Sequence, residues 1–332
     1  MNLTDLSKEK ILILDGAMGT MIQRHQLSEE DYRGDRFADF HQSLKGNNDL
    51  LSITQPEIIQ NIHRAYLQAG ADILETNTFN ANRISMVDYD MVDWVEELNF
   101  ASAKLALEVA DEFTTRNPSQ PKFVAGSIGP TNRTASISPK VQDPAFRNVD
   151  FDELVITYQE QATTLLKAGV HALLVETIFD TLNAKAAFFG IMEAMDQTGI
   201  QVPLMASGTI TDKSGRTLSG QTTEAFLISL AHIPLFSIGL NCALGATDML
   251  PYVEILSDHA PFNVSVYPNA GLPNAFGGYD ESPEIMLENI RPMVENGWIN
   301  ILGGCCGTTP EHIQKMAEFV QNYQPRKIPA LL

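Results

Sequence analysis

The chain has 332 residues, 44% hydrophobic and 19% charged, enough for one large α/β domain or two smaller ones with ample core. Its formal net charge of −19 argues against nucleic acid or an anionic membrane surface as a partner. No apolar run approaches a membrane span, residues 1–10 lack the apolar stretch of a secretory leader, and the 3 cysteines, an odd count, fit a reducing compartment, so a cytoplasmic location is expected.

In chain order, Ile11-Leu12-Ile13-Leu14 reads as a strand that runs into Asp15-Gly16-Ala17-Met18-Gly19-Thr20. Residues 24–50 are polar and rich in charge and glycine, and read as a long loop or excursion. Thr54-Gln55-Pro56-Glu57 has the form of a capping box with proline in the first turn. Ile58, Ile59, Ile62, Tyr66 and Ala69 then give a helix with one apolar face, which Gly70 ends. The strand Ala71-Asp72-Ile73-Leu74 leads to Glu75-Thr76-Asn77-Thr78-Phe79. A helical stretch over about 91–116 precedes Lys122-Phe123-Val124-Ala125-Gly126-Ser127. The unit then recurs: Leu165, Leu166 and Ala168 close a helix at Gly169, His171 to Val175 is a strand, and Glu176-Thr177-Ile178-Phe179 follows, a short internal repeat. Helices near 181–197, 222–231, 246–258, 283–295 and 310–322 alternate with strands at 202–206, 235–240, 262–266 and 298–302. Pro292 is expected to kink or end its helix early. Residues 323–332, with Pro325-Arg326-Lys327-Ile328-Pro329, read as a C-terminal tail or linker.

Eight strands alternating with helices predict a parallel sheet, and in this length a closed (β/α)8 barrel of the TIM type over residues 1–322. In such a barrel the residues just past each strand share one face, where active sites lie. Here they are Asp15, Glu75 with Asn77, Ser127, Glu176, Ser207, Asn241 with Cys242, Asn269, and Cys305 with Cys306. Three thiols at the ends of neighbouring strands can make a zinc site with an open fourth position, the mark of a catalytic metal. They can also be small buried hydrophobes, and the paired spacing of structural zinc is absent. A metal–thiolate centre of this kind suits a small amino acid with its own thiol: Asp15 or Glu176 would receive its ammonium, and the N–H groups of the Gly16–Gly19 turn (Gly16, Ala17, Met18, Gly19) its carboxylate. The alternatives are a tight Asp-Gly turn at Asp15 and ion pairs within the barrel at Glu75 and Glu176. His63, His232 and His312 fall on expected helices without a ligand-spaced partner, and neither a P-loop nor a nucleophile elbow is present.

Leu14-Asp15-Gly16-Ala17-Met18-Gly19-Thr20, Asn47-Asn48-Asp49-Leu50-Leu51, Glu75-Thr76-Asn77-Thr78-Phe79, Asn241-Cys242-Ala243, Pro268-Asn269-Ala270-Gly271 and Gly303-Gly304-Cys305-Cys306-Gly307 together resemble the homocysteine-binding module of cobalamin-dependent methionine synthase, over about residues 10–322. Homocysteine methyltransferases that use betaine or S-methylmethionine share the cysteine motifs, while the first two stretches look more like the cobalamin-dependent branch. The resemblance implies Zn2+ on Cys242, Cys305 and Cys306, with homocysteine sulfur as fourth ligand and Asn269 in its place when substrate is absent. It implies Asp15 and Glu176 on the substrate ammonium. Glu75 and Ser127 are further candidates for the substrate pocket. The implied donor is methylcobalamin, carried with the folate-binding and cobalamin-binding modules on other parts of a longer enzyme or on separate chains. A non-catalytic zinc- or thiol-binding protein is the reading from a different class.

Overall fold

The structure, a computed structural model, describes residues 2–329 apart from 212, 213 and 276. Its strands are β1 (Leu12–Ile13), β2 (Ile73–Glu75), β3 (Phe123–Ile128), β4 (Ala172–Ile178), β5 (Leu204–Gly208), β6 (Leu235–Gly245), β7 (Asn263–Asn269) and β8 (Ile301–Leu302). They pair in parallel in the order β1-β8-β7-β6-β5-β4-β3-β2. The ring closes where Leu14 bridges Ile73. The Asp15 N–H there donates to Ile73 O at 3.0 Å, and the Asp72 N–H to Ile13 O at 2.7 Å. This is the expected (β/α)8 barrel, with helices between successive strands.

Two apolar layers hold it. Alternate strand residues such as Leu12, Leu14, Ile73, Ala125, Leu174 and Ile301 form an inner cluster, joined by Leu3 and Leu6 of the helix Leu3–Glu9. That short helix was not expected from the sequence. The larger outer cluster packs the sheet against the helices. β3 and β7 are buried at every residue, as strands covered on both faces must be. The helix Phe151–Ala168 shows how locally such an element is specified. Asp150 and Glu153 close a reciprocal capping box at its start, and Gly169 ends it in the left-handed conformation, φ +100°.

Three local expectations are corrected and one is narrowed. Of the loop or excursion expected over 24–50, the structure has a folded excursion. Ser28 and Asp31 cap a helix over Glu29–Arg33, the Arg33 guanidinium donates to the carbonyls of Phe37, Ala38, Phe40 and Gln42, and Glu29 accepts from Ser43, Leu44 and Lys45. The Thr54 capping box does not form, because Thr54 ends the helix Leu51–Thr54 and its hydroxyl donates back to Leu50 O; Gln55 is the N-cap, and its side chain makes no capping bond but donates to Asp31 O. The helix Pro283–Glu295 runs through Pro292, since the burial of Met293 and Val294 holds its last turn to the core. The tail is anchored as far as its described residues go, rather than loose. Arg326 is buried, and its guanidinium donates to Ser257 O, Ala260 O and Phe262 O while its backbone pairs with Ile299 and Asn300.

Arg326→Ala would leave three carbonyls unsatisfied near the end of the helix Ala246–His259. It is expected to cost about 3 kcal/mol of stability. An unchanged urea midpoint would show that the tail is not part of the folding unit.

Candidate metal and substrate site

The three sulfurs reach one point by different routes. Cys242 lies inside β6 rather than past it, at a bulge where the β6–β7 register shifts between Asn241 and Gly245. Cys242 and Ala243 are both left-handed there, at φ +58° and +54°, which turns the strand sharply at the thiol. Cys305 and Cys306 follow β8 in a loop that continues the sheet's bonding. The Cys305 N–H donates to Pro268 O, the Ala270 N–H to Cys306 O, both at 2.9 Å, and the Gly304 N–H to Asp15 O at 3.2 Å. The glycines are required by contact: a Cβ on Gly304 would lie 2.5 Å from Thr308 Oγ1, and one on Gly307, itself at φ +82°, would lie 2.3 Å from Tyr279 Cβ.

The three Sγ atoms all lie within 4.8 Å of one another, the only such grouping of potential metal ligands among the described residues. Cys242 Sγ and Cys306 Sγ are 3.8 Å apart. Sulfurs bound at about 2.3 Å to a tetrahedral zinc stand about 3.8 Å apart, so the trio fits the ion. Without metal the thiols titrate as a unit. Hydrogen bonds from Cys242 and Cys305, with a smaller one from Tyr279, draw Cys306 down to about 3, while Cys305, whose proton serves Cys242 and Cys306, is pushed well above the usual thiol range. Asn269 lies between the two cysteine segments in the sheet, since its neighbours Pro268 and Ala270 bond the Cys305 and Cys306 backbone. Its Oδ1 is buried without a partner.

Across the mouth lies a carboxylate cluster. The internal repeat places Glu75 at the end of β2 and Glu176 two residues before the end of β4, and their side chains hydrogen-bond each other. Ser127 Oγ donates to Glu176 Oε1, and the Glu75 N–H donates to Asp15 Oδ2 at 3.1 Å. Asp15 Oδ1 is buried and unpartnered. Among the described residues, no lysine or arginine forms an ion pair with any of the three carboxyls. Burial therefore pushes Asp15 and Glu75 well above the usual carboxyl range, with the charge of Glu176 adding to both, and burial raises Glu176 to about 7. The ion-pair alternative for Glu75 and Glu176 has no counterpart among the described residues.

The Gly16–Gly19 stretch differs from the free turn expected. Met18 opens a helix, Met18–Gln23, with Ala17 as N-cap and no side-chain cap. The Ala17 N–H is already taken by Thr308 Oγ1 at 3.2 Å, so Ala17 is not available to a ligand through that group. Gly16 is a contact residue, because a Cβ there would lie 2.8 Å from the Tyr66 ring. Met18 and Gly19 remain as donors, in the uncapped first turn.

The histidines stay out of the site. His312 bonds Thr309 and Glu281 O, and His63 is buried in the helix Pro56–Gln68. Sequence reasoning passed over Tyr267, whose hydroxyl is buried beside Ser207 and feels the charges of Glu176, Glu75 and Cys305. The period-2 alternation of β7, which puts Ser265, Tyr267 and Asn269 on one face, would have found it. Tyr279, beside Cys306, carried no such signal.

A barrel with three converging thiols at its mouth, across from a cluster of buried carboxyls, offers a grouping that could hold a metal ion. The chain belongs to the homocysteine S-methyltransferase family, whose model matches residues 12–320. It is similar in structure to the homocysteine methyltransferase MmuM from Escherichia coli in its metallated form, with a TM-score of 0.73, 21% identity, and coverage of 96% of this chain and 99% of that one. The oxidized form of the same enzyme gives 0.73, 20%, 95% and 97%. The apo form gives 0.68, 20%, 95% and 98%. At these identities the likeness establishes a shared fold. No helix among the described residues is long and apolar enough to cross a membrane.

Proposed function

We propose that this chain binds homocysteine between the thiol trio and the carboxylate cluster and presents its sulfur, as a thiolate that Zn2+ would hold, to methylcobalamin; the methyl passes to sulfur as its bond to cobalt breaks and leaves the electron pair on cobalt, giving methionine. The observation that carries the reading is the pairing of a zinc-sized sulfur triangle with a buried carboxylate cluster that has no lysine or arginine partner among the described residues. Cys242, Cys305 and Cys306 would hold the ion, with Asn269 Oδ1 available to the fourth position until substrate arrives. Bound there, zinc keeps an incoming thiol deprotonated while its sulfur stays nucleophilic.

The chain's own residues would do the rest. Asp15 and Glu176 take the ammonium, with Glu75 sharing a proton with Glu176 and Ser127 fixing the Glu176 carboxyl. The substrate carboxylate meets the Met18 and Gly19 N–H groups, where the positive end of a helix favours it. The motifs at 14–20 and 47–51 favour a corrin donor, borne by a cobalamin-binding module that works with a folate-binding one, and the mouth lies on the open face of the barrel.

X-ray absorption at zinc, with and without homocysteine, tests the first part. An oxygen neighbour is expected to give way to a fourth sulfur at about 2.3 Å, with about one proton released per site. An unchanged shell would make the metal structural and sink the methyl-transfer reading. Turnover with S-methylmethionine or betaine in place of methylcobalamin would move the chain to the other branch of its family.

A further inference from the structure

Thr177 directly follows Glu176 and is left-handed, at φ +54°. That conformation is costly for a β-branched residue. Its own strand offers little support, because the β4–β5 register shifts between Val175 and Ile178. The support comes from β6. Asn241 Oδ1 accepts the Thr177 N–H at 3.0 Å, and Asn241 Nδ2 donates to Thr177 Oγ1 at 2.8 Å. The same carboxamide accepts Ser207 Oγ at 2.7 Å and points an N–H at Cys305 Sγ, 4.0 Å away, the long end of the range for sulfur. Asn241 is fully buried. Its four contacts engage both lone pairs and both N–H groups. Aspartate would lack the donors, serine the reach, and glutamine would overshoot by a methylene.

We propose that Asn241 is a positioning residue that sets the distance between the two ends of the bound amino acid. It pins the turn that aims Glu176, and through the same amide it fixes the sulfur of Cys305. The proposal rests on the homocysteine reading above and adds the physical link between the carboxylate and thiolate halves of the site.

In the zinc-loaded full chain, Asn241→Ala is expected to weaken homocysteine about tenfold, the population cost of an unsupported left-handed residue. Zinc stoichiometry should be retained. Adding Thr177→Gly, which takes the left-handed turn without strain, is expected to restore most of that affinity. A double variant as weak as Asn241→Ala would overturn the pinning role. Asn241→Asp keeps the acceptors and removes the donors, so the sulfur-to-cobalt charge-transfer band of the cobalt-substituted, substrate-free chain should shift; an unshifted band overturns the Cys305 arm. Equal homocysteine affinity in wild type and Asn241→Ala would overturn the proposal and leave the functional reading standing. A wild-type chain that takes cobalt but no homocysteine would overturn the functional reading, and this proposal with it.

Discussion

Cys306→Ala is expected to abolish stoichiometric zinc binding and any homocysteine-dependent methyl transfer, while the barrel stays folded. The wild-type expectation is one zinc per chain. The Cys306 contribution to the fold is made by its backbone, whose carbonyl accepts from Ala270 at 2.9 Å, and alanine keeps that bond. The side chain is only partly buried, so its loss leaves no closed cavity. The sulfur is different: it is one corner of the triangle, 3.8 Å from Cys242 Sγ. Changing a partner one shell removed from a metal already costs about 10–100-fold in affinity, so deleting a ligand should exceed 100-fold. Cys242→Ala and Cys305→Ser should behave alike. Metal analysis after chelator competition reads the loss, and a urea melt reads the fold. A Cys306→Ala chain that retains one zinc would disprove the site.

Much of this architecture was readable from local signals. Glycine stops, proline starts and 3.6-residue apolar faces placed the barrel helices, and strands buried on both faces stand out as apolar runs. The Glu75 and Glu176 repeat carried more than fold information, because equivalent strand ends in a closed barrel face one opening. What stayed hidden depends on long-range polar bonds. The excursion at 24–50 is held by Arg33 gathering four carbonyls, and the tail by Arg326 gathering three, and neither leaves a hydrophobic period to detect. The left-handed residues Thr177, Cys242 and Ala243 are equally silent, since no glycine marks them. They sit beside the thiols and carboxyls, where local preference is overruled by the site. Asn241 was visible as a polar residue at a strand end, but its role depends on contacts 64 residues away in each direction, to Thr177 and to Cys305.

The carboxylate cluster gives the second large effect, through pH. In the substrate-free chain, burial lifts Glu176 from an ordinary 4.5 to about 7. The folded chain therefore keeps a proton that the unfolded chain has released, and by linkage stability falls as pH rises between those values. The contribution is fully present below about 4.5 and lost through 7, on the order of 3 kcal/mol for a fully buried carboxyl. Glu176→Gln has no proton to lose, so its stability should be flatter over that window; the difference between the two curves removes what zinc and the remaining acids contribute. Homocysteine acts in the opposite sense. Its ammonium favours the ionised cluster, so affinity should tighten as pH rises toward 7, and binding should release protons from carboxyls as well as from the thiol. Glu176→Gln should weaken homocysteine by about 1–3 kcal/mol through loss of a charged hydrogen bond, with zinc content unchanged. Calorimetry in buffers of different ionisation enthalpy separates the proton count from the affinity. Wild-type affinity in Glu176→Gln, together with an unaltered stability slope, would return Glu176 to a structural role and leave the ammonium to Asp15 alone.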